Sequence, residues 1–164
     1  MTDKPRRASE ADVAEIVRVV NLAYRVEDFF LEGDRTNAED IVARLARPEA
    51  TILVVDDPQG ATLVAVVYVE LRVDHVWFGL LSVDPAAQGR GHARALLEAV
   101  ERRCGDAHIE LIEIEVVNLR EELPEFYRRL GFALVGQRPF YDAYKLKRPA
   151  HMLVMRKRLG APAV

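Results

Sequence analysis

The sequence predicts a mixed α/β fold built on one sheet that is largely antiparallel. Three observations carry that expectation. Two amphipathic helical stretches precede any strand pattern. Three β-branched runs then follow one another across short turns, which predicts an antiparallel meander. A strand-helix-strand crossover, from Val76 to Val117, supplies one parallel pair. The order of elements does not alternate regularly enough for a doubly wound sheet. The chain has 164 residues, half of them hydrophobic. That is enough to bury a core without disulfides or metals, and 1–164 is read as one domain.

The elements follow in order. From Ser9 to Tyr24, Val13, Ile16, Val17, Val20 and Tyr24 fall on one helical face, with Ser9 as cap and Asp12 three residues on. Arg25 to Arg35 breaks the period and reads as a loop, with Phe29-Phe30 and a Gly33-Asp34 turn. Thr36-Asn37-Ala38-Glu39 reads as a capping box, and Ile41, Val42 and Leu45 continue a second helix. Thr51–Val55, Thr62–Val73 and Val76–Val83 are the meander strands, the first two separated by Asp56-Asp57-Pro58-Gln59-Gly60. Asp84-Pro85 stops the third. A glycine-bearing turn then opens a helix with Ala93, Leu96, Leu97, Val100 and Cys104 on its apolar face, ending near Gly105-Asp106. Ile109–Val117 is a strand. Pro124 suits the first turn of a short helix and Gly131 its end. Phe132–Val135 and His151–Met155 are the last strands.

Composition excludes several functions. With 23 Lys+Arg against 26 Asp+Glu the formal net charge is -3, which gives no support for a nucleic-acid partner. No apolar run is long enough to span a bilayer, and the N-terminus lacks the apolar core of a signal peptide. The single cysteine, Cys104, cannot form an internal disulfide, so a cytoplasmic location is expected. His75, His92, His108 and His151 show no metal-ligand spacing, so no metal is expected. Ser9 and Ser82 lie in no nucleophile-elbow pattern, which argues against a serine hydrolase.

The segment from Leu81 to Leu97 carries the chemistry. It is a strand, a loop with Gly89 and Gly91, and a helix start. Unpaired N–H groups at a helix N-terminus, with the positive end of its dipole, bind anions, and glycine lets the backbone come close. Gly-Lys-Ser/Thr of a Walker loop is missing, and Arg94 stands where a dinucleotide fingerprint needs glycine. What remains is Gln/Arg-x-x-Gly-x-Gly/Ala, met by Gln88, Gly91 and Ala93. The loop resembles the acetyl-CoA pyrophosphate loop of the GNAT-family N-acetyltransferases. Leu81, Val83 and Pro85 match the strand ending that precedes it in that family. Phe126-Tyr127-Arg128-Arg129-Leu130-Gly131-Phe132 resembles the family's Phe-Tyr-x-x-Leu-Gly-Phe helix ending. The resemblance extends over nearly the whole chain.

That resemblance implies a GNAT fold in which Val76–Val83 and Ile109–Val117 splay apart to admit acetyl-CoA as co-substrate. Leu81, Ser82 and Val83 would pair with pantetheine. Gln88, Gly89, Arg90, Gly91, His92, Ala93 and Arg94 would hold the pyrophosphate, and Asn118 would meet the pantetheine arm, although its distance from Tyr127 departs from the family's spacing. Tyr127 would sit near the sulfur as the acid for the departing thiolate. An amine would attack the thioester directly, and because alkylammonium groups titrate near 10.4 its proton must be removed by a base or a water chain. Glu113 and Glu115, on one face of the strand Ile109–Val117, are candidates for that base or for binding a cation, as are Glu70 and His75. A solvated strand end accounts for the two carboxylates equally well. The acceptor is expected to be a small-molecule amine or a peptide, and a homodimer is possible in this family. A non-catalytic acyl-CoA-binding or sensing module and an enzyme acting on protein amines remain alternatives.

Three further readings concern packing. Cys104 is expected to be an inert core thiol. Phe29 and Phe30 either wall the acceptor pocket or pin their loop to the core. The basic positions Lys145, Lys147, Arg148, Arg156, Lys157 and Arg158 read as a solvated sheet edge.

Overall fold

The computed structural model describes residues 4–160. In chain order the elements are β1 (Arg6–Arg7), α1 (Val13–Ala23), α2 (Ala38–Leu45), β2 (Ala50–Asp56), β3 (Leu63–Leu71), β4 (Val76–Val83), α3 (His92–Asp106), β5 (Leu111–Val117), α4 (Glu122–Arg129), β6 (Ala133–Pro139) and β7 (His151–Arg158). The seven strands form one sheet in the order β1-β2-β3-β4-β5-β7-β6. All neighbours run antiparallel except β4 and β5, which are parallel. The mixed α/β expectation and its single parallel pair hold.

Each face of the sheet buries its own core. One face carries Val67, Phe78, Ile112 and Ile114 against Leu96 and Val100 of α3 and Tyr127 of α4. The other carries Ile52, Val66 and Tyr68 against Ile16 and Val20 of α1 and Ile41 of α2. β2 and β3 are apolar on both sides because both sides are covered, which is why their sequences run rather than alternate. A third cluster, Phe30, Leu31, Val117, Phe140 and Met152, ties the loop after α1 to the end of β5.

Three local expectations are corrected. A 3-10 turn over Glu10–Asp12 precedes α1, and the Ser9 N–H donates to the Asp12 carboxylate at 2.8 Å. The helix cap of α2 is Asn37, not Thr36: the Asn37 Oδ1 accepts the Asp40 N–H at 2.8 Å, and the Thr36 hydroxyl donates to the Asp40 carboxylate at 2.6 Å. The basic C-terminal positions do not line a sheet edge. β7 lies between β5 and β6, and its cations have carboxylate partners: Arg156 with Glu113, Lys157 with Glu101 and Arg158 with Glu110. The long return of β6 and β7 makes β6 the edge, a non-local choice that charge patterning does not report.

Candidate active site

The site begins where two strands stop pairing. β4 and β5 are in register only at Val76↔Ile112 and Trp77↔Glu113. Beyond that point they diverge, and a cavity of about 670 Å³ passes between them. Its walls include Trp77–Leu81 and Val83 of β4, Ile114–Val117 of β5, Gln88, Gly89 and residues 91–94 of the loop and helix start, and Phe126 and Tyr127 of α4.

A bulge shapes the β4 wall. Val66 opposes Ser82 while Tyr68 opposes Gly79, so β4 carries an extra residue against β3. Leu80 takes a left-handed φ of 54° there. The extra residue inverts the side-chain alternation. Val76 and Phe78 pack toward α3, but so do Leu81 and Val83, while Leu80 turns toward α1. The bulge therefore presents both Leu81 and Val83 to the cavity. Ser82 is buried, and its hydroxyl donates to the Leu80 carbonyl at 2.9 Å.

The loop end presents unpaired backbone N–H groups to the cavity. The Asp84 carboxylate accepts the Ala86 N–H at 2.9 Å and Arg18 at 2.9 Å, anchoring the exit from β4. Gly89 (φ 79°) and Gly91 (φ 85°) both lie in the left-handed region, which an L side chain resists. Gly91 caps α3 without a side chain, and the first bond into the helix is Ala95 N–H to Gly91 O at 3.0 Å. The N–H groups of His92, Ala93 and Arg94 precede that bond and border the cavity. The buried Nδ1 of His92 also has no hydrogen-bond partner among the described residues. These donors fit a diphosphate. Gln88, Gly89, Gly91, His92, Ala93 and Arg94 all line the cavity, whereas the exposed Arg90 is not among its walls.

Tyr127 is 6% exposed, with its ring at 5.6 Å from Phe132 and 5.0 Å from Phe126. Burial pushes its hydroxyl well above the usual phenol range, with Tyr24 adding to the shift, so the proton stays on. Of the carboxylates named from sequence, Glu115 lines the cavity and accepts a bond from Arg138. Glu113 does not line it. It is fully buried, held by Arg138 at 2.9 Å and Arg156 at 2.7 Å. Despite burial, those two guanidinium groups hold its carboxyl below the ordinary range. His75 bonds Asp74 at 2.8 Å and stands 4.0 Å from Glu113. Glu70 accepts the Tyr68 hydroxyl at 2.7 Å and Arg72 at 3.0 Å. Neither His75 nor Glu70 is among the cavity walls. Asn118 is not among the cavity walls: its Oδ1 accepts the His151 N–H at 2.8 Å and its own backbone N–H donates to the His151 carbonyl at 2.9 Å.

The polar and aromatic cavity residues that escape the sequence reading include Tyr24, Glu27, Arg35, Arg44, Arg72, Arg120 and Tyr141. Apart from Tyr24, which the period of the first helix marks as buried but not as a site residue, they come from loops, a strand end and element edges whose meeting no local pattern reports. Glu27 is 7% exposed and accepts Arg120 at 3.0 Å; burial still pushes its carboxyl above the ordinary range. Phe30 is core and Phe29 is half exposed beneath Arg148, so that pair pins the loop rather than walling the pocket.

The model of the acetyltransferase (GNAT) domain matches residues 48–134, more than half of the chain. The chain belongs to the GNAT family. As a GNAT protein it is an acetyl-CoA-dependent acyltransferase, and the two sequence segments that suggested this flank the cavity. No curated protein matches the GNAT chain in sequence. Solved structures share its fold. A Streptococcus mutans UA159 protein, smu.2055, superposes with a TM-score of 0.77 at 17% identity, over 96% of this chain and 99% of that one. A Sinorhizobium meliloti phosphinothricin acetyltransferase in complex with acetyl-CoA gives 0.76 at 19%, over 98% and 90%. The Escherichia coli ribosomal-protein-S18-alanine N-acetyltransferase gives 0.75 at 14%, over 98% and 97%. Among the described residues of this GNAT chain, no group of three His, Cys, Asp or Glu side chains is placed to hold a metal, and no helix is long and apolar enough to cross a membrane.

Proposed function

We propose that this enzyme moves an acetyl group from acetyl-CoA to a primary amine by direct attack, with both substrates bound at once. The observation that carries the reading is one continuous cavity, running from the unpaired N–H groups at the start of α3, along the unpaired edge of β4, to Tyr127 and Glu115. The diphosphate lies on the N–H groups of His92, Ala93 and Arg94, and the pantetheine arm pairs with β4 beside Leu81 and Val83. A backbone N–H at the bulge polarises the thioester carbonyl, a contribution of roughly 3–4 kcal/mol where such donors have been removed in other enzymes.

The acceptor enters from the α1 face of the sheet, where Glu115 stands two residues past the last β4–β5 pair. The ammonium form of the acceptor first loses one proton to solvent; the neutral nitrogen then forms a bond to the carbonyl carbon and passes a second proton to the Glu115 carboxylate. The C–S bond breaks, and the sulfur takes the proton of the Tyr127 hydroxyl, leaving coenzyme A, an N-acetyl product, a protonated Glu115 and a tyrosinate; Glu115 then returns its proton to solvent and the tyrosinate takes one up. Burial keeps that phenol in its protonated form, so a proton is present to donate, while making the tyrosinate harder to form. A thiol-release assay across amines, amino acids and peptides tests the reading. Amine-dependent turnover that falls at least tenfold in Glu115→Gln is expected. Coenzyme hydrolysis alone, at a rate no amine changes, overturns it.

A further inference from the structure

Four arginines border the acceptor end of the cavity: Arg35, Arg44, Arg72 and Arg120. Three have carboxylate partners, Arg44 with Asp40, Arg72 with Glu70 and Arg120 with Glu27 and Glu122. Arg35 has none within 4.0 Å among the described residues, and it makes no hydrogen bond there. Its guanidinium carbon lies over two aromatic rings, 5.2 Å from the centre of Tyr24 and 5.1 Å from the centre of Tyr141. The carboxylates that act on it at longer range, Glu27 and Asp40, are committed to Arg120 and Arg44. Two cation–π contacts hold the guanidinium while leaving its N–H donors without a hydrogen-bond partner among the described residues, and so available to a ligand.

We infer that Arg35 receives an oxyanion of the acceptor, so that the substrate is a small amine that also carries a carboxylate or a phosphorus oxyacid. The inference rests on the acetyl-transfer reading and names its substrate class. A planar, unpaired guanidinium in a partly dry cavity recognises a carboxylate or phosphonate through two parallel bonds, a match that a neutral amine cannot use. The enclosure favours a small molecule over a chain. Segments 28–32 and 143–147 are clamped together beside Arg35 by a Leu31↔Leu146 bridge, by Glu32 N–H to Lys145 O at 2.9 Å and by Lys147 N–H to Phe30 O at 2.7 Å. An extended peptide would have to displace that clamp.

The test compares the twenty protein amino acids with their primary amides, which keep the amine and lose the anion, and with aminophosphonates. Peptides with free N-termini form a fourth arm. At least one amino acid or aminophosphonate is expected to exceed its neutral counterpart about 100-fold or more in kcat/KM, mostly through KM. Whichever oxyanion wins identifies the source. In Arg35→Met that ratio is expected to collapse toward one, and in Arg35→Lys, which keeps charge without the fork, to fall between. Amides or peptides turned over as well as the free acids, or a ratio unchanged in Arg35→Met, overturn the inference and leave the acetyltransferase intact. Turnover of no amine at all overturns the transfer reading beneath it. Acetyl-CoA binding measured in each variant separates a lost contact from a lost fold.

Discussion

Removing one oxygen from Tyr127 isolates the proposed acid. In Tyr127→Phe the ring keeps its contacts with Phe78, Phe126 and Phe132, at centroid distances of 6.2, 5.0 and 5.6 Å. The hydroxyl makes no hydrogen bond to the described residues, so no buried partner is orphaned and stability is expected to change by less than about 1 kcal/mol. The rate has more to lose. General acid catalysis contributes roughly 10²–10⁴-fold, equivalent to about 2.7–5.4 kcal/mol of barrier at 1.36 kcal/mol per decade. The expected phenotype is kcat reduced at least 100-fold at saturating acetyl-CoA, with the calorimetric Kd for acetyl-CoA within about threefold of the parent. A second substrate sharpens the assay. An acetyl thioester of an acidic arylthiol needs no proton on its leaving sulfur, so the variant should lose far less with it. A kcat within about threefold of the parent, or an equal loss with both thioesters, refutes the acid role. A fall in melting temperature with a matching fall in acetyl-CoA binding would instead assign Tyr127 to packing.

Two further outcomes follow from the same geometry. Glu113→Gln removes a buried carboxylate from between Arg138 and Arg156; because both guanidinium groups reach solvent and Arg138 keeps Glu115, the fold is expected to lose about 1–2 kcal/mol in urea titrations at neutral pH. Because the folded carboxyl titrates below its ordinary 4.5, its stabilisation is complete above that value and fades as the pH falls below it, so the gap between parent and variant should narrow in acid. A gap that widens in acid contradicts the sign. Gly91→Ala forces a side chain into a left-handed backbone at the helix cap, costing about 1 kcal/mol and disturbing the N–H groups that meet the phosphates. A KM for acetyl-CoA raised several-fold is expected from steady-state kinetics, and an unchanged KM would remove Gly91 from the binding loop.

Much of this site was legible because its parts are local. Gln88, Gly91 and Ala93 lie within one turn of chain, and a helix start needs only its own backbone to bind an anion. Tyr127 and Gly131 likewise sit inside one short helix and its ending. The carboxylates were not separable in this way. Glu113 and Glu115 share a strand face and a sequence context, yet one is locked between two arginines of other strands and the other borders the cavity. Asn118 has the right address for a ligand contact, but its side chain closes the β5–β7 ladder.

By itself, then, the sequence determined the four helices, six of the seven strands among the described residues (β1 carries no signal in its two residues), the glycine-bearing turn before α3 and the family, since each depends on residues close together along the chain. Tertiary structure decided three things. It placed β7 inside the sheet and so turned an apparent basic edge into ion-pair partners. It inserted the bulge at Leu80, which reverses side-chain parity halfway along β4 and cannot be read from a period of two. It gathered Tyr24, Glu27, Arg35, Arg120 and Tyr141 from separate segments around one cavity. Those residues meet only when distant segments pack, and such contacts leave no repeating mark along the chain.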